Sequence, residues 1–138
     1  MRFLQLTETA ILPTRATIGS AGYDLHADET KAIPPHGSAI IKTGVGYEGM
    51  PEDMWLDLRL RSGTSAKRPV LLANGAGVLD SDFEGREIGI ILYNRSHNYL
   101  TIDKGDKIAQ MVYLKYYKID DETKPTEVRV GGTGSTDK

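Results

Sequence analysis

Asn74, Asp80 and Phe83 stand close together in the stretch Asn74-Gly75-Ala76-Gly77-Val78-Leu79-Asp80-Ser81-Asp82-Phe83-Glu84-Gly85. Their side chains could read a small polar molecule. Asn74 offers an amide donor and acceptor, Gly77 a close backbone approach, Asp80 a base and Phe83 a flat apolar wall. Val78 and Leu79 are apolar, Asp80-Ser81-Asp82 turns the chain and Gly85 restarts it, so two short extended runs around a turn are expected here. A small binding site on a rigid hairpin needs such a set of groups. An ordinary turn whose Asp and Gly residues only satisfy turn geometry uses the same residues. This stretch alone does not decide between the two.

Three further segments carry chemistry. Arg61-Ser62-Gly63-Thr64-Ser65-Ala66-Lys67 joins backbone N–H groups at a helix start to a small hydroxyl and flanking cations, the parts of a phosphate site. The same residues suit a Ser N-cap beside a solvated basic face. Ser20-Ala21-Gly22-Tyr23-Asp24-Leu25 puts one carboxylate on a short strand, where Asp24 could hold magnesium through its water shell. In Lys104-Gly105-Asp106-Lys107-Ile108-Ala109-Gln110, Gln110 follows the inward-looking Ile108 by two positions. It is therefore expected on a buried face, where its amide must find partners. His26, His36 and His97 lie far apart in sequence and supply neither a His-Glu-x-x-His metal pair nor a Ser-His-Asp triad.

The elements that must position these groups are strands. From Met54 to Arg61 the chain alternates, with Met54, Leu56, Leu58 and Leu60 on one face and Trp55, Asp57, Arg59 and Arg61 on the other. Further strands are expected at Phe3–Leu6, Tyr23–His26, Ala39–Lys42, Val70–Ala73, Ile88–Tyr93, Tyr99–Ile102 and Ile108–Leu114. Gly- and Pro-rich turns separate them, which argues for an all-β sandwich or barrel. One helical turn is expected at Thr64–Arg68, stopped by Pro69. Gly85-Arg86-Glu87-Ile88-Gly89 suggests a bulge.

The 138 residues suit one domain. Residues 1–119 form the β-domain and 120–138 a polar, glycine-bearing arm, in which Arg129, Ser135 and Thr136 could bind oxyanions. Seventeen basic against 19 acidic residues leave a net charge of −2, so no chain-wide basic field argues for nucleic acid. With no cysteine there is no disulfide, thiolate catalysis or cysteine-held zinc. No apolar run approaches membrane-spanning length, and a cytoplasmic location is expected.

Taken in order, the segments resemble the trimeric dUTPases, deoxyuridine triphosphate nucleotidohydrolases. Five motifs carry the resemblance: Ala21–Leu25, Arg61–Lys67, Gly77–Gly85, Gly105–Gln110 and the tail Gly131–Thr136. It implies a distorted jelly-roll β-barrel with a mobile C-terminal arm, assembled as a homotrimer with shared sites. It also implies hydrolysis of dUTP to dUMP and pyrophosphate, which limits uracil in DNA and supplies dUMP for dTMP synthesis. By that likeness Asp80 is the general base for attack on the α-phosphorus, and Asp24 holds Mg2+ through water. Arg61, Ser62 and Gly63 grip the phosphates, with Gln110 beside them from a neighbouring subunit. Asn74 and the backbone of Gly77, Val78 and Leu79 read the uracil, and Phe83 packs under the deoxyribose.

Two departures from the family pattern stand out. Phe83 replaces the usual Tyr, which keeps the ring and loses a phenol hydrogen bond. Thr133 replaces the Phe that closes over uracil, and Arg129 sits one residue nearer to Gly131-Gly132 than is usual. A looser lid and weaker substrate binding are expected. The alternatives are a phage regulatory protein of this fold that binds a host protein, in the host cytoplasm, and a dCTP deaminase relative.

Overall fold

A computed structural model describes residues 1–131 of the chain. The chain order is β1 (Arg2–Gln5), β2 (Thr14–Arg15), β3 (Gly22–His26), β4 (Lys31–Ile33), β5 (Ser38–Lys42), β6 (Val45–Glu48) and β7 (Met54–Leu60). There follow α1 (Ser62–Lys67), β8 (Val70–Leu72), β9 (Gly77–Leu79), a 3-10 turn at Ser81–Phe83, β10 (Gly89–Asn94), β11 (Leu100–Ile102) and β12 (Lys107–Lys115). The protein is all-β, as its turn spacing predicts. The short strands β2, β4 and β6 lack a run long enough to show alternation and go unnoticed in the sequence. Among the described residues, no helix is long and apolar enough to cross a membrane.

The sheet that holds Asp24 and Gln110 has five strands in the order β2-β3-β12-β7-β9, and its neighbouring strands are antiparallel. One row crosses it as Thr14, Asp24, Gln110 and Arg59, and the next as Arg15, Tyr23, Met111 and Leu58. Neighbouring rows face opposite sides of a sheet. Leu25, Leu56, Leu58, Ala109 and Met111 therefore point into a core shared with Ile41, Val45, Tyr47, Ile88, Ile90 and Leu92. Full burial of one such aliphatic side chain contributes about 1.5–3 kcal/mol. The alternation expected along β7 holds, with one addition. Asp57 on the polar face is itself buried, and Arg59 Nε donates to both of its carboxylate oxygens at 2.9 Å.

Gln110 departs from expectation. The register shifts between Lys107 and Ala109, where Lys107 pairs with His26 and Ala109 with the adjacent Leu25. The extra residue reverses the side-chain parity. Ile108 and Ala109 are both buried, whereas Gln110 leaves Ile108's face, lies half-buried in the outer row beside Asp24, and donates to the Leu60 carbonyl at 3.3 Å. A second extra residue sits where the sequence suggests it. Gly85 N and Ile88 N donate to the carbonyls of Tyr47 and Val45, so three steps on one side meet two on the other.

Gly22 makes room for Gln110, because a Cβ at position 22 would stand 2.3 Å from Gln110 Oε1. Gly22→Ala is expected to push Gln110 off the Leu60 carbonyl and to cost about 1–3 kcal/mol by overpacking, measurable as a lowered urea midpoint. An unchanged midpoint would show that the amide relocates freely.

Candidate active site

Asp80 follows β9 and opens the 3-10 turn. Its backbone is held from the core side, where the hydroxyl of the fully buried Tyr47 donates to the Asp80 carbonyl at 2.6 Å. Burial pushes the Tyr47 phenol well above its ordinary range, so it remains a neutral donor. The Asp80 carboxylate points into a cluster with Arg129. Arg129 Nη2 donates to Asp80 Oδ2 at 2.6 Å, and Nε donates to Asp82 Oδ1 at 2.8 Å. The guanidinium side chain is only 17% exposed in this clamp. Burial raises the Asp80 pKa above its usual value, Arg129 opposes the rise and Asp82 adds to it. Hydrogen bonding to Asp82 is the largest cause of a raised Arg129 pKa. Asp82, which the sequence offers only as part of a turn, is thus an anchor for the arm.

Asp80 also lines a pocket of about 360 Å3 with Trp55, Val78 and Tyr116. Asn74 is exposed in the turn before β9, and Val78 is exposed on the outer face of β9. Gly77 is buried because its backbone passes Leu58, whose side chain would meet a Cβ there at 2.9 Å. Phe83 turns to the core side, its ring 6.3 Å from that of Tyr47 and covered by the Arg86 guanidinium at 5.9 Å.

A second cluster forms around Asp24, which is 3% exposed. Arg61 Nε meets its Oδ1 at 2.7 Å, and Lys107 Nζ stands 3.3 Å from its Oδ2. The Lys107 contact is ionic without hydrogen-bond alignment, since Asp24 Oδ2 is buried and has no hydrogen-bond partner. Buried His26 lies in the same cluster, its pKa lowered first by burial and then by Lys107. Arg61 caps α1 without a side-chain hydrogen bond, and Ser62 and Gly63 are exposed in the first turn, where backbone N–H groups lack intrahelical partners. Ser62 is therefore inside the helix and is not its N-cap. Thr64 Oγ1 ties α1 to the Lys107 carbonyl at 3.0 Å.

One carboxylate between two cations is no closed metal site, and among the described residues no group of three or more His, Cys, Asp or Glu could hold an ion. The donor set fits magnesium that arrives chelated to phosphates and keeps its waters, because that ion needs few protein ligands and Asp24 Oδ2 has no hydrogen-bond partner of its own. Two of the sequence-distant histidines do meet: His36 Nε2 and His97 Nδ1 are 3.0 Å apart.

The two clusters lie apart within one chain. Leu79 pairs with Leu56, so Asp80 falls beside Trp55, whereas the Asp24 row crosses β7 at Arg59 and Arg61 lies just beyond the strand. The six steps from Trp55 to Arg61 span about 20 Å at roughly 3.3 Å per residue. Arg129 joins the Asp80 cluster, while Thr133, Ser135 and Thr136 lie outside the described residues. Sequence reasoning missed Tyr47, Trp55, Lys107 and Tyr116. Only Trp55 left a signal, as a large apolar residue on the polar face of an alternating strand.

The chain is thus all-β, with a clamped, part-buried carboxylate beside a pocket and a cation-lined carboxylate elsewhere. The dUTPase family model matches residues 8–137. A deoxyuridine 5'-triphosphate nucleotidohydrolase of Picosynechococcus is 40% identical over 140 residues, covering 99% of this chain and 97% of that protein. The dUTPase of Streptococcus mutans superposes with a TM-score of 0.81 at 27% identity, covering 87% of this chain and 99% of that one. A point mutant of the dUTPase from Staphylococcus aureus phage phi11, whose structure details the coordination of a structural Mg(II) ion, gives 0.79 at 26% identity over 91% and 96% of the two chains. The chain belongs to the dUTPase family.

Two outcomes follow from the clamp. Tyr47→Phe strands the Asp80 carbonyl and should cost about 1–3 kcal/mol of stability, visible in a urea titration. Followed by NMR through a pH titration, the Asp80 carboxyl should lose its proton above 3.8, the ordinary carboxylate value, because burial raises its pKa. Arg129→Ala removes the charge that lowers that pKa, so the transition should move to higher pH. An unmoved transition would disprove the coupling.

Proposed function

We propose that the chain hydrolyses dUTP to dUMP and pyrophosphate, with Asp80 as the general base. The observation that carries this is the Asp80 carboxylate, part-buried, backbone-anchored by Tyr47 and open to a pocket of nucleoside size. Asp80 takes the proton of the water that attacks the α-phosphorus, and its raised pKa makes it a better proton acceptor. Arg61, Ser62 and Gly63 bind phosphate oxygens through the guanidinium, the hydroxyl and the first-turn N–H groups. Gln110 presents its amide beside them from the same chain, not from a neighbouring subunit as the resemblance implies, since it pairs with Asp24 and donates to the Leu60 carbonyl. Arg129 exchanges its carboxylate partners for phosphate as the arm closes, with Ser135 and Thr136 adding donors.

Asp24 would hold Mg2+ through water, and when bound the ion supplies charge that offsets the leaving pyrophosphate. Asn74 and the backbone of Gly77, Val78 and Leu79 read the uracil edge, whereas Phe83, which the resemblance puts under the deoxyribose, has its ring turned to Tyr47 on the core side.

The separation of about 20 Å along β7 exceeds the reach of a triphosphate. Asp80 of one copy therefore works with Asp24, Arg61 and Gln110 of another, which a homotrimer with shared sites provides.

Pyrophosphate release measured with dUTP, dTTP, UTP and dCTP should show turnover of dUTP alone. Asp80→Asn should lower kcat about 10²–10⁴-fold, and turnover of dCTP with release of ammonia would refute the assignment. Sharing has its own test. Asp80→Asn and Arg61→Ala chains, each inactive alone, should regain activity when co-assembled, since one mixed site unites an intact Asp80 with an intact Arg61. A mixture as inactive as its parts would place both groups in one chain's site.

A further inference from the structure

The pocket beside Asp80 has walls that the reaction scheme leaves unused. Trp55 sits on the outer face of β7 across from Leu114, and Val78, 61% exposed, lies on the same face of the neighbouring β9. Tyr116 follows β12 and is pinned to the loop before β7. Its N–H donates to the Asp53 carbonyl at 2.9 Å and its hydroxyl to the Glu52 carbonyl. Strand pairing therefore fixes the backbone of Trp55, and backbone contacts hold the Tyr116 ring.

The pocket's 360 Å3 falls in the roughly 300–1,000 Å3 range of small-molecule clefts. Its polar edge is Asp80. In a nucleoside triphosphate the α-phosphate is joined directly to the sugar, so a group that acts there must have the nucleoside as its neighbour. Phe83 does not line the pocket, since its ring is turned to Tyr47, and no aromatic residue follows Tyr117 in the sequence.

We infer that Trp55 and Tyr116 form the aromatic wall that stacks on the nucleobase of the substrate beside Asp80. This rests on the proposed hydrolysis of dUTP and adds two specificity-determining residues to it. Every nucleobase offers a flat π-face, so a stacking wall supplies affinity, while hydrogen bonds from the β9 backbone supply the choice of base. Asp80 then defines one end of the bound nucleoside and the two rings its side.

Trp55 is the only tryptophan, so its fluorescence in the full-length protein reports on this wall alone. Titration with dUMP, and with a non-hydrolysable imido analogue of dUTP, should quench the emission saturably. Trp55→Ala should raise KM for dUTP roughly tenfold, equivalent to about 1.4 kcal/mol, with kcat little changed and the oligomer intact by gel filtration. Trp55→Phe should restore most of the affinity. Tyr116→Ala, in which Trp55 still reports, should weaken dUMP binding by a similar factor. The inference is overturned if saturating nucleotide leaves the emission unchanged, or if both alanine variants keep the original KM. It is also overturned if Trp55→Ala and Trp55→Phe both dissociate the oligomer, because the pocket would then be an interface with a second copy. If the unaltered protein does not turn over dUTP, the proposed activity fails. If it does turn over dUTP and the tryptophan stays silent, only the wall fails.

Discussion

Strand β7 hydrogen-bonds to β12 along one edge and to β9 along the other, and this double pairing determines where every charged group can lie. A central strand cannot slip by one residue without moving Leu56 and Leu58 from core to surface, so its register is strongly held. The two ends of β7 therefore become two fixed stations. Trp55 and Asp80 stand at one, Arg59 and Arg61 at the other. The two stations lie about 20 Å apart along the strand.

Both stations neutralise a carboxylate with an arginine before any substrate is bound. Asp24 has Arg61 at 2.7 Å, and Asp80 has Arg129 at 2.6 Å. An ionised carboxylate left alone in a part-buried position carries a large desolvation cost, and a guanidinium removes much of it. The same guanidinium groups suit phosphate, which offers the planar, bidentate recognition that carboxylate offers. Asp82 matters here because it gives Arg129 a second carboxylate and fixes the approach of the arm.

Family membership and geometry bear on different parts of this picture. The match over residues 8–137 identifies the chain as a dUTPase-family protein. The geometry supplies what is particular to it. The aromatic surface near Asp80 comes from Trp55 and Tyr116 on the sheet, while Phe83 braces the 3-10 turn against Tyr47.

By itself the sequence determined the strand-rich class and the inward face of β7, and it singled out five segments as candidates for chemistry. These are local properties, written as period-two alternation, as turn residues and as short runs of special groups. The tertiary structure decided how those segments relate. The sequence pattern puts Gln110 with Ile108, and only the extra residue between Lys107 and Ala109 turns it outward to Asp24. Likewise, only the fold brings Tyr47, from a strand more than thirty residues earlier, to the Asp80 carbonyl and Arg129 to the Asp80 carboxylate. Such contacts join residues far apart in the chain, and their geometry depends on the pairing of whole strands.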